Sequence, residues 1–199
     1  SEGVPPLPFQ ECRLHDAYYR LPVARVQLLS GPSGGGSTPL LRSGRLNDAE
    51  DVNTGIVFQE IPDEVTLAIN ISNCPCHCPG CHSHYLWEDI GLPLNADAID
   101  AFVEKYGEDI TCIAFMGGDN DPKGVNLLAQ YIHEEHPQFK VAWYSGKTVI
   151  SAAINKQDFD YIKIGPFIRH LGPLKKPTTN QRLYRQNAQG EFEDITSRF

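Results

Sequence analysis

From Asn53 onward the apolar residues fall into short runs whose spacing switches between period two and the helical period. "GIVFQEI", Gly55 to Ile61, has the composition of a strand, and "EVTLAINIS", Glu64 to Ser72, alternates almost without fault. "SHYLWEDIG" predicts a short helix ended by Gly91. "NADAIDAFVEKYG", Asn95 to Gly107, opens on a capping residue and places Ile99, Phe102 and Val103 on one face. "ITCIAFMGG", Ile110 to Gly118, is a buried strand running into paired glycines, followed by a helix over "GVNLLAQYIHEEH". "KVAWYSG" (Lys140 to Gly146) is again a strand, "TVISAAIN" predicts a short helix, and "FDYIKIGPF" (Phe159 to Phe167) contains a further strand. Strands alternating with helices predict an α/β fold with a parallel sheet and crossover helices. The run is too short for an eight-fold barrel, so an open, partial β/α barrel is expected.

Residues 1–52 have a different texture. "SEGVPPLPFQ" is proline-rich, and Leu28 to Leu41 has the glycine and serine content of a flexible linker, with "SGGGS" similar to an engineered joint. Pro22 interrupts the moderately apolar stretch between them, so a flexible N-terminal extension is expected there and a single domain over 53–199.

Composition changes this picture little. Of the 199 residues 41% are hydrophobic and 21% charged, as in an ordinary globular protein, and no apolar run is long enough to span a bilayer. The formal net charge of -8 argues against nucleic acid polymers and anionic membranes as partners. With no secretory signal evident and with cysteines that suit a reducing interior, a cytoplasmic location is expected.

The cysteines carry the chemistry. In "NISNCPCHCPGCHSHYLW", Asn70 to Trp87, stand four of the chain's six cysteines, Cys74, Cys76, Cys78 and Cys81, with His77, His82 and His84. They are too close together to staple distant segments, so a metal site fits better than a disulfide framework. One parsing gives four thiolates to zinc, though a single tight loop would then wrap the ion alone. The other takes Cys74-x3-Cys78-x2-Cys81 as three ligands of an iron–sulfur cube and leaves Cys76 a bystander. The cysteine loop, "GGD" at Gly117, Gly118 and Asp119, and "YSG" all follow strands, and ligands of such folds collect at the carboxyl ends of strands. Cys112 falls in a buried-looking strand and is expected to be a core residue.

This spacing, followed one β/α unit later by "FMGGDNDP", resembles the radical S-adenosylmethionine superfamily. Asn73 before the first cysteine, Pro79-Gly80 between the second and third, "WYSGK" from Trp143 and "NQRLY" from Asn180 narrow the resemblance. They are similar to the anaerobic ribonucleotide reductase activating proteins, the small glycyl-radical activases. The sequence departs from that pattern at His82, in "GGDNDP" and in "IGPF" at Ile164 to Phe167. The resemblance implies a [4Fe–4S] cluster held by Cys74, Cys78 and Cys81, with S-adenosyl-L-methionine as the second cofactor. Asp119 would meet its ammonium group, Gly117 and Gly118 would admit it, and Ser145 would contact the ribose. The implied activity is reductive cleavage of S-adenosylmethionine and abstraction of a hydrogen from a glycine of a partner glycyl-radical enzyme. That partner would be anaerobic ribonucleoside-triphosphate reductase, and electrons would come from a flavodoxin-like or other low-potential donor. The competing readings are another small radical S-adenosylmethionine enzyme, such as a different activase or a ring-contraction enzyme, and a non-catalytic zinc-binding module.

Overall fold

The computed structural model describes residues 54–57 and 60–199, together with the two-residue strand β1 (Arg25–Val26). The expectation of a flexible leader over 1–52 otherwise lies outside the described residues. The remaining elements are β2 (Thr54–Val57), β3 (Thr66–Asn70), β4 (Pro93–Leu94), α1 (Ala96–Tyr106), β5 (Cys112–Met116), α2 (Pro122–Glu135), β6 (Lys140–Tyr144), β7 (Tyr161–Ile164), β8 (Arg182–Gln186) and β9 (Phe192–Asp194).

Seven strands form one sheet in the order β2-β3-β5-β6-β7-β8-β9, while β1 pairs separately with β4. The four central strands β3, β5, β6 and β7 are parallel. β2 is antiparallel on one edge, and the β8–β9 hairpin is antiparallel on the other. The result is a mixed α/β sheet with, among the described residues, two α-helices.

Central parallel strands are buried on both faces, which explains their nearly unbroken apolar sequences. On one face Leu67, Ile69, Ile113, Phe115, Val141, Trp143 and Ile162 pack against Ile99 and Phe102 of α1 and Val125, Leu128, Ala129 and Ile132 of α2. Among the described residues no α-helix packs on the opposite face: Cys112, Ala114, Ala142, Tyr161 and Leu183 cluster there with Ile61 and Ile195. Cys112 is fully buried there, as a small core residue should be.

Both helices start where the sequence provides caps. The Asn95 side chain accepts from Ala98 N at 3.0 Å. Asp121 accepts from Gly124 N at 3.0 Å, with Pro122 in the first turn of α2. The second half of "GGDNDP" is therefore a helix start, and Asp119 is left to other work.

Two expectations differ from the structure. Residues 84–87 form a 3-10 turn rather than an α-helix. "TVISAAIN" is not helical: it runs as bends and a turn into a 3-10 turn at Lys156–Asp158. Polar groups there have better partners than a helix ladder. Ser151 Oγ accepts from Ala153 N at 3.2 Å, and Asn155 N donates to Oδ1 of the buried Asn126 at 2.6 Å. Asn126 Nδ2 also donates to Asp158 Oδ2 at 2.8 Å, alongside Gln130 Nε2 at the same oxygen, so Asn126 is the α2 side chain that holds both Asn155 and Asp158.

Replacing that side chain tests the account. Asn126→Ala leaves the Asn155 N–H without its acceptor and should cost about 1–3 kcal/mol. The readout is the urea midpoint at unchanged slope; an unmoved midpoint would show that the crossover stands without it.

Candidate metal centre

Four parallel strands end on the same side of the sheet, and each carboxyl end delivers a piece of one site. β3 leads into the cysteine loop, β5 into Gly117-Gly118-Asp119, β6 into Ser145-Gly146-Lys147, and β7 into Gly165-Pro166.

The cysteine loop is tied down at its base. Ile71 N donates to Met116 O at 3.0 Å, Asn73 N to Glu88 O at 2.9 Å and Cys74 N to Leu86 O at 2.8 Å. The buried Ser72 donates through Oγ to Ile90 O at 2.7 Å. Beyond Cys74 the chain turns on left-handed residues, His77 at φ 43° and Gly80 at φ 78°. At Gly80 the space is also taken, since a Cβ would stand 2.8 Å from Nε of Arg169. The histidines find aromatic neighbours: His77 stacks on Trp87 at 4.8 Å, His84 meets Trp87 edge-on, and His82 tilts against Phe167.

Asp119 is the hub between the strand ends. Its Oδ1 accepts from Ser145 Oγ at 2.5 Å and its Oδ2 from Gly146 N at 2.8 Å. Trp143 Nε1 donates to Gly117 O at 2.8 Å, and Gly117 N donates to Tyr144 O at 3.0 Å, so the β5 turn is stitched to β6 throughout. Gly117 and Gly118 both have positive φ, and a Cβ at Gly118 would come within 2.4 Å of Val125 Cγ2. The two glycines are required by the turn and by helix packing alike.

The structure gives Cys76 and Ser145 places the sequence does not suggest. Cys76 Sγ lies 3.6 Å from Asp119 Oδ2, and a Cβ at Gly146 would come within 2.6 Å of that sulfur. Ser145 is buried; it donates to Asp119 and accepts from Lys147 N at 3.0 Å. Its hydroxyl therefore buttresses the carboxylate, and a ribose could use it only as an acceptor.

The thiols divide by charge. The Cys76 thiol beside Cys74 holds the Cys74 pKa down to about 6, despite the opposing effect of burial. Cys76 is pushed far up, first by that same hydrogen bond and then by burial and the Asp119 carboxylate. Its single proton has two acceptors, the Cys74 sulfur and Asp119, and either one keeps it on Cys76. Cys74 is thus prepared as a thiolate, the form a metal needs, and Cys76 is not. Burial raises Cys81, with further upward pushes from the neighbouring Cys78 and Cys74.

All four loop cysteines are free and partly exposed. Among the described residues, no three His, Cys, Asp or Glu side chains already stand in a metal-holding array. The donor set nevertheless suits an iron–sulfur cluster: four free thiols within one loop, with Cys81 feeling the charge of both Cys78 and Cys74 and with Cys74 already biased to thiolate.

Sequence reasoning singled out Cys74, Cys78, Cys81, Gly117, Gly118, Asp119 and Ser145, and the structure brings their segments to one end of the sheet. It passed over Gly146, Trp143, Arg169 and Lys163. Gly146 stood in the "YSG" stretch and Trp143 in "WYSGK"; Arg169 and Lys163 had no signal beyond being charged residues near an apolar strand.

A search of protein families matches residues 64–171, more than half of the chain, to a model described as a 4Fe-4S single cluster domain. No curated protein matches, and no solved structure matches. Among the described residues no helix is long and apolar enough to cross a membrane.

The crowding at Gly146 gives a double-mutant test. Gly146→Ala should destabilise by about 1–3 kcal/mol through overpacking against Cys76. In a Cys76→Ala background the same change should cost much less, as measured by urea unfolding of the cluster-free protein. Equal costs in the two backgrounds would place the strain elsewhere.

Proposed function

The chain belongs to the 4Fe-4S single cluster domain family, and from that premise we propose that it is a radical S-adenosylmethionine activase. It would hold a [4Fe–4S] cluster through Cys74, Cys78 and Cys81, and act on a glycine of a partner glycyl-radical enzyme, anaerobic ribonucleoside-triphosphate reductase. The observation that carries this reading is Asp119: a carboxylate fixed by Ser145 and Gly146 at the strand end beside the cysteine loop.

The residues of this chain have separable tasks. Cys74, Cys78 and Cys81 would supply three thiolates and leave one iron open to an incoming amino-acid group. Asp119 uses three acceptor positions on its own protein, for Ser145, Gly146 and Cys76, and a carboxylate offers about four. It thus retains capacity for an ammonium group, whose approach would be admitted by the side-chain-free Gly117 and Gly118. Cys76, keeping its proton, would stay off the metal and cover one side of Asp119. A bound cluster, once reduced, would supply the electron for cleavage of the S-adenosylmethionine sulfonium, the chemistry that hydrogen removal from a glycine Cα requires. The electron would come from a flavodoxin-like or other low-potential donor.

One face of the sheet suits a protein substrate. Among the described residues no α-helix packs on it, so an inserted peptide would displace none of the described α-helices.

Anaerobic reconstitution with iron and sulfide, followed by dithionite and S-adenosylmethionine, tests the reading by chromatography of 5′-deoxyadenosine. Product is expected from the native chain and from Cys76→Ala, and a loss of more than about a hundredfold from Cys74→Ala, Cys78→Ala or Cys81→Ala. Tight zinc without sulfide, and no product, would return the cysteine loop to a structural role.

Asp119→Ala should leave the iron and sulfide content intact and weaken S-adenosylmethionine binding about tenfold or more, the loss of one charge-assisted contact. Unchanged affinity in equilibrium dialysis would remove Asp119 from the site.

A further inference from the structure

Lys163 is the one buried cation among the described residues, 8% exposed on the third position of β7. Its neighbours on the same sheet face are what such a position usually holds: Tyr161 two residues earlier and Leu183 on the adjoining strand, both buried. An ammonium there is costly to desolvate and needs partners. Among the described residues its hydrogen-bond acceptor is Gly165 O at 2.9 Å, one bond for a group with three donors. The Tyr144 ring adds a weak cation–π contact at 5.8 Å.

Hydrogen bonds place the residue at the strand-end site: Lys163 O accepts from Ser145 N at 2.8 Å, and Nζ reaches the Gly165 carbonyl in the β7 turn. Cys78 exerts the largest pull towards the charged form, followed by Asp119, Cys76 and Glu60, and Cys81 in turn feels Lys163. Asp119 is already engaged by Ser145 and Gly146. The cysteine loop leaves the same end of the sheet, so the ammonium, with two donors to spare, stands at the end of the sheet that carries Cys78 and Cys81. Burial lowers its pKa to about 8, which still leaves it mostly cationic near neutrality.

We propose that Lys163 is a positioning residue for charge, a buried ammonium at the carboxyl end of β7, beside the cysteine loop, that favours the reduced state of the cluster. The inference rests on the reading of Cys74, Cys78 and Cys81 as ligands of a [4Fe–4S] cluster. Reduction brings one electron from an external low-potential donor onto the oxidised cluster; no bond to the protein forms or breaks, and one negative charge is added. A fixed cation in a water-poor site stabilises that added charge more than the state before it.

The test is a potentiometric titration of the reconstituted full chain with dithionite and mediators, following the reduced cluster by electron paramagnetic resonance. Lys163→Met, similar in volume and expected to fold, should lower the reduced fraction at a given potential about tenfold, equivalent to a midpoint about 59 mV more negative for one electron. Lys163→Arg should keep most of the native midpoint, and Lys163→Gln serves if the Met variant does not fold. A neutral variant with a normal cluster and an unmoved midpoint overturns the proposal. So does a variant with an unmoved midpoint that loses S-adenosylmethionine binding, because the ammonium would then serve the ligand's carboxylate. Failure of the native chain to assemble any cluster overturns the ligand assignment as well, and is distinguished by iron and sulfide content.

Discussion

The carboxylate of Asp119 is the constraint on which the functional end of this molecule depends. Parallel strands bring their carboxyl ends together but leave the loops beyond them free to diverge. Here one side chain from the β5 turn takes a hydroxyl and a backbone N–H from the β6 turn, and a thiol from the cysteine loop lies against it. Three loops are thereby referred to a single pair of oxygen atoms. The tryptophan bond to Gly117 O repeats the tie one layer down, where the sheet is already rigid. Loss of the carboxylate would therefore be felt as lost register between loops as well as lost charge.

The thiols show how that arrangement assigns chemistry among like residues. Cys74 and Cys76 are two positions apart and have the same side chain, yet one is held low and the other high. The difference comes first from the hydrogen bond between the two sulfurs, which lowers Cys74 and raises Cys76; burial and the nearby Asp119 carboxylate then add to the rise at Cys76. A spacing pattern alone does not tell the two thiols apart; the hydrogen bond they share supplies a physical difference between them.

Much of the fold was legible because the central strands carry period-two or continuous apolar runs and both α-helices have explicit caps at Asn95 and Asp121. The missing crossover helix was not, since the acceptor that draws Asn155 away sits 29 residues upstream in α2. The β8–β9 hairpin also escaped notice: "RLYRQ" and "FED" are short, polar and partly exposed, with only the turn at Asn187 to Gly190 to mark them. At the site, the clustered cysteines and paired glycines announced themselves by composition. Lys163 and Arg169 did not, because a lone cation in a sequence looks the same whether it faces water or a buried loop.

The far edge of the sheet has its own consequence. β9 is three residues long, and its Glu193 and Asp194 stand exposed on the last strand. A strand from another molecule seeking to extend the ladder there would meet few free backbone groups and two negative charges, with Arg185 and Arg182 already answering them from within. The hairpin thus works as a terminator: it lets the parallel centre remain apolar on both faces without offering a template for growth.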